Sequence, residues 1–563
     1  MPGLNTPPPA IVVLGVGALQ TARRIQSRYA SAQLLGLRDR VPGAEALYDN
    51  FGETLRELYR SGTPIIALCA AGIVIRSLAE LLGDGDKDSE PPVLAVAADG
   101  SAVVPLLGGL AGVNRMAREI AEQLQTVPAI TTTGELRFGT CLLDPPAGYR
   151  LADIEQGKRF VSDLLAGENM QVIGAAPWLD QAPLPLSPDA AHRLIVSPYR
   201  QPEGTTTLHI YPQQVIAYVE RSGDGLETEL EQLMSDSNLA LQSLSCLASP
   251  VELMADRALA AIAERFALPL RFLDMDQPLP PLHSRSPRVQ LLMSDEPIAA
   301  AMIGQARGSL TVIGLGPGAA ELMVPAARHA LDLADDLLGY ETYVKMAGPL
   351  RPGQVAHSTD NREEMQRARH AFELASSGRR VVVISSGDPG VFAMAAAVLE
   401  ALHHADDPRW HQVDLQILPG VSAALATAAK AGAPLGHDFC MLSLSDNLKP
   451  WSIIETRLDH AAAADLVIAF YNPISRARPW QLGRALEILR TRREQDTLVV
   501  LGRDIGRPGE TLKVLTLGEL TPGMVDMRTL VIIGSSQSCR FSRVDGTEWV
   551  YTPRSYPAPS AQR

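Results

Sequence analysis

Short β-branched runs that end in glycine and lead into an amphipathic stretch recur along this chain, and that beat restricts its fold more than any other feature. AIVVLGVG (10–17) precedes TARRIQSRY, and TPIIALCAAGIVIRSLAELL (63–82) and PVLAVAADGSAVVPLLGGLAGVNRMAREIAEQL (92–124) repeat the pattern. A buried strand, a tight turn and a helix make one βα unit, and successive units build a parallel sheet covered by helices. The expected class is α/β. At 563 residues the chain exceeds the roughly 250–300 residues at which a single core stops growing, so several domains are expected. Residues 1–147 form the first and 150–276 a smaller α/β domain. A Pro-rich extended linker over 277–308 begins QPLPPLHSRSPR, and two lobes, about 309–435 and 436–545, lie within 309–563.

The middle region reads as a helix over 153–166, a strand-helix unit spanning HIYPQQVIAYVE and LETELEQLMSD, and a last helix before PLRFLDM. From 309 the beat strengthens. SLTVIGLGPG is a strand and Gly-rich turn before the helix MVPAARHALDLADDLLG, and RRVVVISSGDPGVFAMAAAVLEAL and LQILPGVSAALATAAKAG repeat strand, loop and helix. A second group of strands follows at FCMLSLS, DLVIAFYNP, DTLVVLGRD and TLVIIGS. The three loops fall at the carboxyl ends of strands, the edge at which open parallel sheets bind ligands.

A formal net charge of -13 argues against a general nucleic-acid binder, because neutralising phosphates requires a basic face. The five cysteines are scattered without CxxC or metal spacing, which suits a reducing cytoplasm and no metal site. The apolar run near the N-terminus lacks a basic flank, and no stretch reaches the ~20 apolar residues of a transmembrane helix. A cytoplasmic protein without membrane partners is expected.

Gly314-Leu315-Gly316-Pro317-Gly318 lets backbone turn sharply and approach a ligand. It departs from a dinucleotide fingerprint, since Ala319 stands where GxGxxG ends and Pro317 intervenes. Ser385-Ser386-Gly387-Asp388-Pro389-Gly390-Val391-Phe392 sets one carboxylate in a rigid loop, where Asp388 either accepts from a ligand or caps a helix beginning near Val391. Pro419-Gly420-Val421-Ser422-Ala423 adds a small-residue helix start.

LTVIGLGPG, SSGDPGVFAMA, LPGVSAA, FYNP and VVLGRDIGRPGE, in this order and at these distances, resemble the tetrapyrrole (corrin/porphyrin) methylases over essentially all of 309–540. GYETYVKM (339–346), HDFCMLSLSDNLKPW (437–451) and FYNPISRAR (470–478) look like the branch that methylates C17 of precorrin-3B. The resemblance implies a bilobal class III methyltransferase fold, with S-adenosylmethionine (SAM) folded between the lobes. It carries the methyl donor's contacts onto Gly316, Pro317, Gly318, Gly387, Asp388, Pro389, Gly390, Val391, Phe392, Ser422 and Ala423, with Tyr471, Asn472, Gly502 and Thr511 from the second lobe. MVPAA at 323–327 departs from the more usual LTPxA. A precorrin substrate and a homodimer are implied as partners.

The first half is similar to the cobalt-precorrin-5A hydrolases in GIVIRSLAELL (72–82), VPLLGGLAGVNRMAREIAE (104–122) and PAITTTGE (128–135). The middle domain is similar to the smaller domain of those enzymes in SPVELMADRALAAIAERFALPLRFL. Where they usually read GHxGGAN, this chain has Gly109-Leu110-Ala111-Gly112-Val113-Asn114. The histidine, and with it the obvious acid/base group, is missing, so lost or altered hydrolysis is expected. The region then either hydrolyses a lactone, beside a methylase acting on cobalt-bearing substrate, or only holds a tetrapyrrole. His437 and Asp446 are candidates for proton handling. Arg76, Arg476, Arg478 and Arg503 could pair with carboxylates, and Tyr340 and Trp451 could pack on a macrocycle or in a core.

Overall fold

The computed structural model describes residues 8–29, 31–83, 90–202, 204–274, 277–348, 350–351, 353–359 and 363–556. Six strands form the first sheet, in the spatial order Ala46–Tyr48, Gln33–Leu37, Ala10–Val13, Ile65–Leu68, Val93–Val96, Val103–Leu107. All neighbours are parallel except the last pair. That exception arises at Asp99-Gly100-Ser101, where Asp99 accepts from the Ser101 amide and Gly100 takes φ +78°. The chain reverses there before the helix Val113–Leu124 begins. Alternation along the central strands splits the core into two layers, as a period of two requires. Ile11, Val13, Ile66 and Leu68 pack under helices Leu19–Arg28 and Val113–Leu124, while Val12, Ile65 and Ala67 face Phe51–Arg60 and Ala71–Leu78.

The middle of the chain contains two sheets rather than one. Tyr149–Leu151, Thr207–Pro212, His192–Val196 and Met170–Ile173 form the first, beside helix Ile154–Ala166, whose N-cap Asp153 accepts from the Gln156 amide. The HIYPQQVIAYVE run breaks at Gln213-Gln214 after Pro212, which lacks an amide hydrogen. Val215–Val219 therefore enters a different sheet, with Leu244–Pro250, Leu270–Leu273, Val289–Met293 and Leu282–Arg285. The last two strands correct the expectation of an extended linker over 277–308. Val289–Met293 pairs antiparallel with Val215–Val219, burying Val289 and Leu291 against helices Leu226–Asp236 and Arg257–Arg265. Proline density at 280–287 obscured a strand whose own residues are apolar at alternate positions.

The fourth sheet has five parallel strands, ordered Val355–Thr359, Asp336–Tyr340, Arg380–Ser385, Ser309–Gly314, Asp414–Leu418. The helix expected to run through MVPAARHALDLADDLLG covers only Pro325–Leu333. DLLGY is a strand because buried Asp336 meets His357 and Arg379 at its start, and Leu337 and Leu338 fill the core on opposite faces. The following sheet is mixed, ordered Phe439–Ser443, Val467–Tyr471, Thr529–Ile533, Leu498–Arg503, Thr511–Thr516. This lobe continues past 545: Glu548–Tyr551 pairs with Gly432-Ala433, and the Thr552 hydroxyl donates to Pro434 O at 2.6 Å. None of the described helices is long and apolar enough to cross a membrane.

Candidate ligand cleft of the C-terminal lobes

Three neighbouring strands of the parallel sheet, Arg380–Ser385, Ser309–Gly314 and Asp414–Leu418, send their following loops to one edge. Backbone bonds join these loops to one another. Gly316 N donates to Gly387 O at 3.2 Å and Gly387 N to Gly316 O at 2.8 Å, so the first two loops pair like a single antiparallel bridge. The third loop lies against both: a Cβ on Gly420 would sit 2.3 Å from Gly387 O and 3.1 Å from Gly314 O. Only glycine permits that approach.

Asp388 binds these loops together. Its Oδ1 accepts from Gly390 N at 2.8 Å and its Oδ2 from Gly420 N at 2.9 Å. These bonds leave acceptor capacity on both oxygens, but the helix-cap alternative does not hold. The next helix starts at Met394, later than Val391, and its N-cap Ala393 makes no side-chain capping bond. Pro389 carries the chain away from Asp388, and Ala395 N returns to Pro389 O at 2.9 Å. Phe392 follows in the left-handed region at φ +54° with its ring half exposed, beside half-buried Val391.

Ser422 caps helix Ala423–Ala431 by accepting from Leu425 N at 3.3 Å. The helix then leaves the first lobe and packs Ala424, Ala428 and Ala431 on Val467, Ala469 and Val500 of the second. Alanines let helix and sheet approach closely. Gly502 serves this packing, since a Cβ there would meet the Thr427 side chain at 2.4 Å. From the second sheet, Tyr471 brings its hydroxyl to accept from Ala424 N at 3.0 Å, and its ring lies 5.3 Å from that of Phe392. Burial pushes the Tyr471 hydroxyl above its ordinary value despite the opposing bonds from Ser422 and Ala424. Asn472 is left-handed at φ +50° and donates to Ser443 Oγ at 3.1 Å. Thr511 opens the edge strand, exposed and opposite Arg503.

Sequence reasoning missed Arg507. This side chain crosses from the second lobe to donate from Nε to Pro317 O at 2.9 Å and from Nη2 to Ser386 Oγ at 3.3 Å. A Cβ on Gly318 would lie 2.6 Å from Arg507 Cγ, which accounts for the glycine there. Half-buried Tyr343 is pushed up by its own burial, an effect opposed by the nearby Arg507 charge. The RPGE segment carried the only signal, a cation in a Gly/Pro turn after a strand.

The two candidates for proton handling separate. Asp446 follows strand Phe439–Ser443 on the same edge as Tyr471 and is held by Gln481 Nε2 at 3.2 Å from both carboxylate oxygens. His437 precedes that strand, accepts from Asp438 N at 2.7 Å and lies 5.1 Å from the Tyr556 ring. At about 3.3 Å per residue the intervening strand puts it roughly 20 Å from the cleft edge. It is not brought to the site, because neighbours in sequence lie at opposite ends of a strand that crosses the whole lobe. Arg478 donates to Asn472 O at 3.4 Å and Arg476 is exposed beside it. Arg503 is bound to Asp526 at 2.8 Å, Arg76 is exposed on helix Ala71–Leu78, Tyr340 packs on Tyr343, and Trp451 packs on Trp480.

A parallel sheet whose three glycine loops are stitched together, with an aromatic pair formed across the two lobes and an arginine reaching in from the second, defines a two-lobed, small-ligand α/β enzyme. Residues 309–521 match the family model of the Tetrapyrrole (Corrin/Porphyrin) Methylases, and 53–135 match that of Cobalamin synthesis G N-terminal. The chain is 50% identical over 253 residues to a precorrin-3B C(17)-methyltransferase from Sinorhizobium sp, a match covering 45% of this chain and 99% of that protein. It is 40% identical over 250 residues to a cobalt-factor III methyltransferase from Priestia megaterium, covering 44% of this chain and 45% of the relative. A crystal structure of the methyltransferase CobJ aligns with 51% identity and a TM-score of 0.41, over 44% of this chain and all of that one. The chain belongs to the tetrapyrrole methylases.

Proposed function

We propose that residues 309–563 transfer the methyl group of SAM to C17 of precorrin-3B, with ring contraction to precorrin-4, and that 1–147 and the region from 150, which extends through the strands at 282–285 and 289–293, are attached domains. The observation that carries the cleft assignment is the mutual stitching of the Gly316, Gly387 and Gly420 loops on one sheet edge. The 50% identity to a named C17-methyltransferase supports the choice of reaction.

SAM fits this cradle. Backbone approaches without Cβ atoms at three loops, and the Phe392 and Tyr471 rings offer π faces of the kind that attract a cation such as a sulfonium. Bound SAM supplies an electrophilic methyl group. The chain's own contribution is then chiefly positional, since holding two reactants in register can supply much of an acceleration. Asp388 fixes the spacing of the second and third loops, Tyr471 and Arg507 fix the second lobe against the first, and Arg476 and Arg478 stand beside Asn472 to meet substrate carboxylates. Asp446, held by Gln481, is placed to accept a proton on the same edge. A homodimer fits the edge strand Asp414–Leu418, which leaves Ile417 exposed, and the exposed Leu425 on the next helix.

An anaerobic assay of the purified chain with SAM and metal-free precorrin-3B, beside its cobalt counterpart, tests the reading by methyl incorporation and product mass. Turnover of the metal-free substrate is expected. Turnover only with cobalt would shift the assignment to the substrate type named for the Priestia relative, and turnover of neither would refute it.

A further inference from the structure

Edge strand Val355–Thr359 and helix Glu364–Ser376 bring two histidines together on the first lobe of the methylase region. His357 Nδ1 and His370 Nε2 lie 3.3 Å apart, with ring centroids at 4.9 Å. Their outer nitrogens each meet a carboxylate. His357 Nε2 lies 2.8 Å from Asp336 Oδ1, and His370 Nδ1 lies 3.3 Å from Glu373 Oε2 on the same helix face. Asp336 is 1% exposed and is held in turn by Arg379 Nε.

A neutral imidazole has one N–H, and an ionised carboxylate only accepts. Each ring therefore spends its hydrogen on its carboxylate, and the two inner nitrogens face each other as lone pairs. No other partner among the described residues approaches either of them. Two acceptors 3.3 Å apart repel unless a cation lies between them. The separation suits a metal ion: with Zn–N bonds of about 2.0–2.1 Å, two nitrogens on one tetrahedral ion stand roughly 3.3–3.4 Å apart. The outer bonds match as well, since a metal-ligating histidine donates its other N–H to a group such as a carboxylate, which fixes tautomer and ring orientation.

We propose that His357 and His370 form a binding site for a divalent transition-metal ion such as zinc, ligated by His357 Nδ1 and His370 Nε2. Among the described residues no third His, Cys, Asp or Glu completes the group, so water takes the remaining positions. Imidazole suits zinc, copper and nickel, whereas magnesium and calcium prefer oxygen. Asp336 and Glu373 set against Arg379 leave a net negative charge around the pair, and the partly exposed His370 side chain gives access from solvent. Cysteine spacing did not point to this site, which rests on histidines 13 residues apart in sequence.

The pair lies far from the ligand cleft. Arg379 stands just before strand Arg380–Ser385, whose other end leads into the Gly387 loop. At about 3.3 Å per residue that strand separates the two by roughly 20 Å. The ion therefore takes no part in methyl transfer. Strand Val355–Thr359 has a single strand neighbour, Asp336–Tyr340, and an ion shared by His357 and His370 clips this edge to the covering helix. A ligand that binds the folded chain and not the unfolded one stabilises the fold.

Titration calorimetry of the metal-free full chain with zinc, beside magnesium, tests the proposal independently of the methylase reading. Zinc should bind and magnesium should not. His370→Ala, at a partly exposed helix position, should remove one zinc equivalent from the stoichiometry. Glu373→Ala should weaken that site by about tenfold, as expected for the loss of an outer carboxylate. His404→Ala breaks the exposed His403–His404 contact at 4.7 Å and controls for adventitious surface binding; it should leave the site intact. Zinc should also raise the unfolding midpoint of the parent chain and not that of His370→Ala. Absence of zinc binding, unchanged stoichiometry in His370→Ala, unchanged affinity in Glu373→Ala, or an equal loss in His404→Ala would overturn the proposal.

Discussion

Replacing Gly420 by alanine adds a methyl group at the point where the three loops meet. The new Cβ would lie 2.3 Å from Gly387 O, 3.1 Å from Gly314 O and 3.2 Å from Gly314 Cα, all backbone atoms with no rotamer to change. A carbon-oxygen contact relaxes at about 3.3 Å, so the third loop must retreat by about 1 Å. Overpacking of this kind costs ~1–3 kcal/mol. At about 2 kcal/mol, and roughly 2–4 °C per kcal/mol for a domain of this size, the midpoint of unfolding should fall by roughly 4–8 °C. A displacement of about 1 Å in a positioning loop also costs on the order of 100-fold in rate. Differential scanning calorimetry and turnover with precorrin-3B at fixed SAM measure the two effects. Gly523→Ala is the control, because a Cβ there meets nothing within 4 Å and the residue is exposed. If Gly420→Ala matches the parent in both measurements, the stitched loops do not position the ligand.

Arg507→Ala removes two of the bonds that cross between the lobes. S-adenosylhomocysteine affinity, measured by calorimetry, should weaken by about tenfold, and lysine should restore only part because it lacks the planar fork. His437→Ala should leave turnover unchanged and stability within about 0.5 kcal/mol, since the imidazole contacts Asp438 and Tyr556 far from the cleft. Glu229 locks the Leu282–Met293 hairpin to its helix by accepting from Ser286 Oγ at 2.6 Å, and from Arg288 N at 3.0 Å and Nε at 2.7 Å. The Ser286 bond, then Arg288 working against burial, holds its carboxyl below the ordinary range. A depressed folded-state value means stability present above the unfolded value of about 4.3 and lost as pH falls through the folded one. Glu229→Gln should therefore unfold earlier in urea at pH 7, and the gap should close in acid.

The ligand edge was legible because it is local. VIGLGPG, SSGDPG and LPGVS each place a glycine turn directly after a β-branched strand, and strand direction alone sends all three to one side. The methylase resemblance rested on those same segments together with FYNP and VVLGRDIGRPGE. Strand DLLGY was not legible, because its apolar pattern continues the preceding helix and only the buried Asp336 pairing with His357 and Arg379 separates them.

What the sequence determined by itself is the α/β class and the loops that form the cleft edge, since these follow from residue spacing along single segments. Tertiary structure alone decided which groups share a site. Asp388 bonds to Gly420, 32 residues away, and Arg507 reaches Pro317 across 190. It also removed His437, by extending a strand between it and Ser443, and gathered Asp336, His357 and His370 into one cluster. Hydrogen bonds and close packing act through space between segments whose separation in sequence leaves no periodic trace.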